Sequence, residues 1–291
     1  GIVRRATWKS TNVAVKISKS NVTELAKMSF LKESKMLPSL RHPNIIPIYG
    51  VCKAPAPDNA LWMVMQLGDY SLDNKLIDLA PQPLPESFII KLGIDIARGL
   101  LYLHSQSAAI SHCDIKPGNI IYDYSGNAML ADFNIAHRAD SNSSLGGGGG
   151  GARGTIRYMA PENYSKKKTG YLKPPCDIYS LGMVLYEVST GMTPWSDLDI
   201  YSIMTEVNDA ARPDIPSWLR PSIARFICMC WNQDPIARPS ASVALQHLLD
   251  LEQDFLFSVG TDYPPAGGGD SGVFPPPPSA PPRPQRGLRE T

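Results

Sequence analysis

The sequence predicts an α+β fold of two lobes, a small β-rich one followed by a larger helical one. Three observations lead there. Short runs rich in β-branched residues recur up to about Gly68. Broad apolar faces at helical spacing take over from Phe88 onward. The chain's 291 residues, 43% of them hydrophobic, are more than one small core usually holds. The expected divisions are 1–68 for the first lobe, 69–257 for the second, and 258–291 for a disordered proline-rich tail.

Each element has a local reason. Strands are expected near Ile2 to Trp8 and Asn12 to Ile17, where apolar β-branched residues cluster. A helix carries Phe30-Leu31-Lys32-Glu33 through Leu37 and Leu40 into the turn Arg41-His42-Pro43-Asn44. Strands near Ile48 to Lys53 and Ala60 to Leu67 are separated by Pro55 and Pro57. Phe88, Ile89, Leu92, Ile96, Leu100 and Leu103 then make one wide apolar helical face. Ile120 and Ile121 give a short strand. Further helices are expected at Cys176 to Thr190, Asp197 to Asn208, Leu219 to Trp231 and Ser240 to Leu251, punctuated by Pro216, Pro235 and Pro239.

Charge and cysteine content exclude several function classes. A formal net charge of +1 gives no reason to expect nucleic acid or a charged membrane as main partner. No apolar run reaches the roughly 18 residues that span a bilayer. The first residues also lack a basic-then-apolar leader. The five cysteines, Cys52, Cys113, Cys176, Cys228 and Cys230, lack paired C-x-x-C spacing, which points to a reducing, cytoplasmic setting. Cys228 and Cys230, flanking Met229 in an apolar run, are expected in core packing.

Chemistry concentrates in His112-Cys113-Asp114-Ile115-Lys116-Pro117-Gly118-Asn119, followed by Asp132-Phe133 and Ala160-Pro161-Glu162. Asp114 can accept a proton from an attacking hydroxyl, and Lys116 can hold a transferring phosphate. Asn119 and Asp132 present oxygens suited to Mg2+. These motifs, with Val13-Ala14-Val15-Lys16 ahead of them on a strand signal, resemble the signature of protein kinases.

The resemblance covers about Gly1 to Leu251 and implies a bilobal kinase fold using ATP and Mg2+. It makes Lys16 the phosphate-binding lysine and Glu33 its partner. Glu33 fits better than Glu24 because it stands the usual distance before His42-Pro43-Asn44. Leu37 would then face Phe133 and His112. The family's glycine-rich loop is represented only by its end, Gly1 and Val3, so the chain is expected to start inside its own nucleotide site. Val3 and Ala14 would cover adenine from above and Ile121 from below. Met65 would guard the back of the pocket, with Gln66, Leu67 and Gly68 as hinge. Asp177 would hold the catalytic-loop backbone, and Arg238 would pair with Glu162.

The same resemblance narrows the substrate. Glu162 and Arg238 favour a protein substrate, and Lys116 within D-x-K-x-x-N, with Gly154-Thr155, favours serine or threonine acceptors. Cys230-Trp231-Asn232-Gln233-Asp234-Pro235 and Arg238-Pro239-Ser240 are similar to the tyrosine-kinase-like branch. The alternative is a catalytically weak kinase-like scaffold that recruits partners through the tail. There, residues 278–286 hold two overlapping P-x-x-P-x-R patterns suited to a proline-recognition domain.

The sequence departs from the family at three places. Cys113 replaces the arginine that usually receives an activation-segment phosphate, and a thiol cannot form that bidentate pair. Asn134 replaces the glycine after Asp132-Phe133; asparagine enters the left-handed region more readily than most residues. Ser141-Asn142-Ser143-Ser144 precedes six glycines, Gly146 to Gly151, which cannot bury enough apolar area to offset ordering entropy. Phosphorylation is therefore not expected to be the on-switch. Protein stripped of phosphate, checked by mass spectrometry and freed of phosphatase, should keep its initial phosphate-transfer rate to within about tenfold.

Overall fold

The computed structural model describes residues 2–17, 37–54, 60–107, 109–132, 155–164 and 174–260. Residues 18–36, which include the expected Glu33 helix, lie outside them, as do Gly1, Phe133, Asn134, the glycine run and the tail motifs.

The first lobe is a four-stranded antiparallel sheet of β1 (Ile2–Trp8), β2 (Thr11–Ile17), β3 (Ile48–Lys53) and β4 (Leu61–Gln66), in the order β1-β2-β4-β3. Alternation sets its buried face: along β4, Leu61, Met63 and Met65 are buried while the residues between them are only partly covered. Leu37–Ser39 forms a 3-10 turn containing Pro38, so the stretch before the His42-Pro43-Asn44 turn is not α-helical there.

The second lobe begins with two elements that the sequence patterns did not announce separately. Helix α1 (Leu72–Leu79) is capped by Ser71, whose Oγ accepts from Asn74 N–H at 3.3 Å. After α2 (Glu86–His104), strand β5 (Ile120–Tyr122) pairs with β6 (Ala128–Leu130), three residues too short to show a period. The remaining helices are α3 (Pro174–Thr190), α4 (Ile200–Asn208), α5 (Pro221–Cys230) and α6 (Ala241–Gly260).

Helix ends differ from expectation for identifiable reasons. Asp199 Oδ1 accepts from Tyr201 and Ser202 N–H, at 2.8 and 3.0 Å, so α4 starts after this cap rather than at Asp197. Prolines 174 and 221 occupy first-turn positions, where their missing N–H costs nothing. Helix α6 runs nine residues past Leu251, because no breaker intervenes before Gly260. Its last turns are not core: Leu256 and Phe257 are 62% and 75% exposed.

The core of this lobe forms around α3, where every residue from Cys176 to Thr190 is buried. Helix α2 packs against both α3 and α6. The two cysteines expected in core packing part company. Cys230 is buried but Cys228 is exposed, since residues two apart on a helix point to nearly opposite sides.

Two helices approach closely at Gly182. A Cβ there would stand 2.8 Å from Cys230 Cβ and 3.4 Å from both Ile227 O and Trp231 N. Gly→Ala in an open helix gains about 0.5–1 kcal/mol, whereas overpacking costs about 1–3 kcal/mol. The second effect wins, because α5 backbone atoms line the contact. Gly182→Ala should lower the urea unfolding midpoint, and a raised midpoint would show that α5 can back away freely.

Candidate active site

The catalytic segment is fixed by its own backbone first. His112 and Cys113 N–H donate to the Asp177 carboxylate at 2.9 and 2.7 Å, and His112 Nε2 lies 3.0 Å from Ala131 O. Asn119 O accepts from Ala131 N–H at 2.9 Å. These bonds tie the loop before Asp114 to the residue before Asp132. Cys113 and Asp132 both sit at positive φ, 64° and 59°, conformations that ordinary side chains adopt only when neighbours hold them.

Around Asp114, three side chains converge. Lys116 Nζ donates to Asp114 Oδ1 and Oδ2 at 3.0 and 2.8 Å, and to Thr155 Oγ1 at 2.7 Å. Asn119 Nδ2 donates to Asp114 O and Oδ2, both at 2.8 Å. Asp114 is only 8% exposed, so these bonds offset the desolvation of its carboxylate. With both amide hydrogens of Asn119 spent on Asp114, the amide is left to present its oxygen outward.

Lys16 reaches across from β2 and forms an ion pair with Asp132, whose side chain is 40% exposed. Asn119 and Asp132 therefore offer hard oxygen donors on either side of a short segment, a set that fits Mg2+ and does not suit softer metals. Glu33, the expected partner of Lys16, lies outside the described residues.

Of the expected nucleotide-contacting residues, Val3, Ala14, Lys16 and Met65 share one face of the sheet. Val3 pairs with Lys16, and Ala14 with Met65; directly opposed residues point to the same side, and so do Ala14 and Lys16 along β2. Met65 and Ala14 are each 7% exposed, whereas Val3 is 59% exposed. At the end of β4, Gln66 N–H donates to Pro47 O, and beyond it Asp69 N–H donates to Tyr122 O. Leu67 packs at the edge of the core. Gly68 rests directly on Ile121: a Cβ there would come within 2.1 Å of Ile121 Cγ2. This contact requires the hinge glycine.

Arg238 and Glu162 form a bidentate pair, Nη1–Oε1 2.6 Å and Nη2–Oε2 2.8 Å. Arg238 also donates from Nε to Asn232 O and from Nη1 to Pro175 O, and its guanidinium lies over the Tyr179 ring.

Three contributors carry little local sequence signal. His104 Nε2 lies 2.8 Å from Asp177 Oδ2, a contact across 73 positions. Asn44 Nδ2 donates to Ala128 O, and its own carbonyl accepts from Leu130 N–H, joining the lobes behind the site. Tyr158 donates to Glu187 Oε2 at 2.6 Å; burial holds the Glu187 carboxyl above its ordinary range. The position of Asn44 after His42-Pro43 was the one usable clue among them.

Comparison with known proteins agrees with this geometry. The family described as "Protein kinase domain" matches residues 1–249. The chain is 32% identical over 241 residues to the "Probable serine/threonine-protein kinase drkD" of Dictyostelium discoideum, covering 82% of this chain and 18% of that protein. It is 31% identical to the "Receptor-interacting serine/threonine-protein kinase 4" of Mus musculus, covering 86% of this chain and 32% of that one. With the "Serine/threonine-protein kinase CTR1" of Arabidopsis thaliana it shares 30% identity, covering 86% and 30% respectively. The chain thus spans less than a third of the length of these relatives.

Asp177→Asn preserves shape but replaces an acceptor by an N–H donor among groups that already donate. It should leave one buried N–H unsatisfied, at about 1–3 kcal/mol, and displace the catalytic loop. The expected result is a kcat loss of at least about tenfold with little change in KM for ATP, measured by steady-state kinetics.

Proposed function

This chain belongs to the protein kinase family, and we propose that it transfers the γ-phosphate of ATP to serine and threonine hydroxyls of proteins. The observation that carries the proposal is the cluster in which Lys116 and Asn119 both bond Asp114 and Lys116 also bonds Thr155, beside the Lys16–Asp132 pair.

Each residue has a task in that reaction. Asp114 orients the acceptor hydroxyl and receives its proton as the oxygen bonds to phosphorus. Lys116 offsets charge on the moving phosphoryl group and, through Thr155, anchors the segment that would receive the substrate. Lys16 holds the ATP phosphates. Asn119 and Asp132 would hold Mg2+, which when bound neutralises charge between the phosphate oxygens. Ala14, Met65 and Ile121, together with Val3, would enclose the adenine, with Gln66 to Gly68 offering backbone groups to its edge.

Placement in the tyrosine-kinase-like branch is supported by Cys230 to Pro235 and Arg238-Pro239-Ser240. A cytoplasmic setting is supported by the cysteines, all five of which are unpaired. A proline-recognition domain is a proposed partner for residues 278–286, which lie outside the described residues. The scaffold alternative is disfavoured, since a chain without catalysis has no need of the Asp114 cluster and its buried hydrogen bonds.

Transfer from labelled ATP with Mg2+ tests the proposal. Lys16→Met, Asp114→Asn and Asp132→Ala should each reduce transfer by about a hundredfold or more while circular dichroism stays unchanged. Near-normal turnover in a folded variant would refute the assignment. The product should be phosphoserine or phosphothreonine on acid hydrolysis, and predominant phosphotyrosine would overturn the reading of Lys116.

A further inference from the structure

Cys113, where the family carries arginine, faces a second thiol. Its Sγ lies 3.8 Å from Sγ of Cys176, in the first turn of α3, and Cys176 Sγ is also 3.8 Å from Asp177 Oδ1. The two cysteines come from segments 63 positions apart, and each immediately precedes an aspartate of the site, Asp114 and Asp177.

We propose that Cys113 and Cys176 are a reversible disulfide site whose closure displaces Asp114 and stops phosphoryl transfer. A metal is the weaker reading of the same trio. Asp177 Oδ1 already accepts from Cys113 N–H at 2.7 Å, and Oδ2 from His112 N–H and His104 at 2.9 and 2.8 Å. Ligation by Asp177 would compete with bonds that hold the catalytic loop.

The oxidant is a hydroperoxide, and the roles of the two thiols follow from access. Cys113 is half-buried and reachable, whereas Cys176 is 2% exposed. The Cys113 thiolate attacks the peroxide, the O–O bond breaks, and Cys113 becomes a sulfenic acid with hydroxide leaving. Sγ of Cys176 then attacks the sulfenic sulfur, the S–O bond breaks, and water leaves with the thiol proton. The net change is two thiols and one hydrogen peroxide giving one disulfide and two waters. The hydrogen bond to Cys113, followed by burial and the neighbouring Asp177 carboxylate, pushes the Cys176 thiol well above its ordinary range. Its burial, which keeps peroxide away, makes Cys176 the resolving partner, and Asp177 Oδ1 lies 3.8 Å from its Sγ.

Bond formation brings the sulfurs from 3.8 Å to about 2.05 Å. Helix α3 is buried along its whole length from Cys176 and cannot shift easily. The catalytic loop must give way instead. Cys113 is at φ 64° and is bonded through its N–H, so pulling its side chain changes the backbone that aims Asp114.

The test treats the full 291-residue chain with hydrogen peroxide, blocks free thiols, digests without reductant and reads the peptides by mass. The expected result is a Cys113–Cys176 linked pair two hydrogens lighter, a transfer rate at least about tenfold lower, and recovery of both on adding dithiothreitol. In Cys176→Ala the link is absent and a sulfenic-acid probe should label Cys113. Exposed Cys52 and Cys228 report general oxidation in the same digest. Both thiols alkylated after peroxide treatment that oxidises Cys52 would overturn the site. A link with undiminished transfer would overturn its effect on Asp114. The mass measurement stands apart from the kinase reading: reduced protein without any transfer refutes the proposed function, and the linked peptide still decides the site.

Discussion

Three donors converge on the Asp177 carboxylate, a residue with no solvent exposure: the backbone N–H groups of His112 and Cys113 and the ring of His104. Burying a carboxylate costs several kcal/mol, and hydrogen bonds to a charged group return about 1.5–3 kcal/mol each. Position supplies more, because Asp177 lies in the first turn of α3, where the helix dipole favours negative charge. The balance holds only while the loop is in place. Removing the loop would strand the charge in the core, so the buried helix α3 and the catalytic segment depend on one another.

From there the constraint spreads outward by backbone bonds. His112 Nε2 lies against Ala131 O, Ala131 N–H donates to Asn119 O, and Leu130 donates its N–H to Asn44 O while its own O accepts from Ile46 N–H. The metal-ligand candidates Asn119 and Asp132 are thus positioned from the second lobe, while Lys16 arrives from the sheet of the first. Gly68, pressed on Ile121, and Asp69, bonded to Tyr122, pin the hinge to the same β5–β6 pair.

Much of this was legible because the family's chemistry is local in sequence. Asp114, Lys116 and Asn119 fall within six residues, and the structure joins them by direct bonds. Strands β1 to β3 carried enough β-branched residues, and β4 enough apolar ones after Pro55 and Pro57, to be placed almost to the residue, and Phe88 to Leu103 spelled out a helical face. The rest depended on distance or length. Three-residue β6 has no period, α6 continues three residues into the stretch whose composition suggested a tail, and the His104–Asp177 contact joins residues that no local pattern relates. Cys228 shows the opposite limit: an apolar neighbourhood predicted burial, but the helix turned that side chain to solvent.

Cys113 brings these threads together. An arginine at that position acts through its side chain, by capturing a charge elsewhere on the chain. The geometry of Asp114, however, comes from the Cys113 main chain, through a positive φ and an N–H bonded to Asp177. The side chain can therefore change without releasing the loop, which is why loss of the arginine is compatible with an intact Asp114 cluster. Its replacement is not inert, because the same backbone geometry aims the new thiol at Cys176. A position that elsewhere reads charge from the activation segment here faces a sulfur fixed in the core, so control over Asp114 would pass from a phosphate to the oxidation state of one reachable and one buried sulfur.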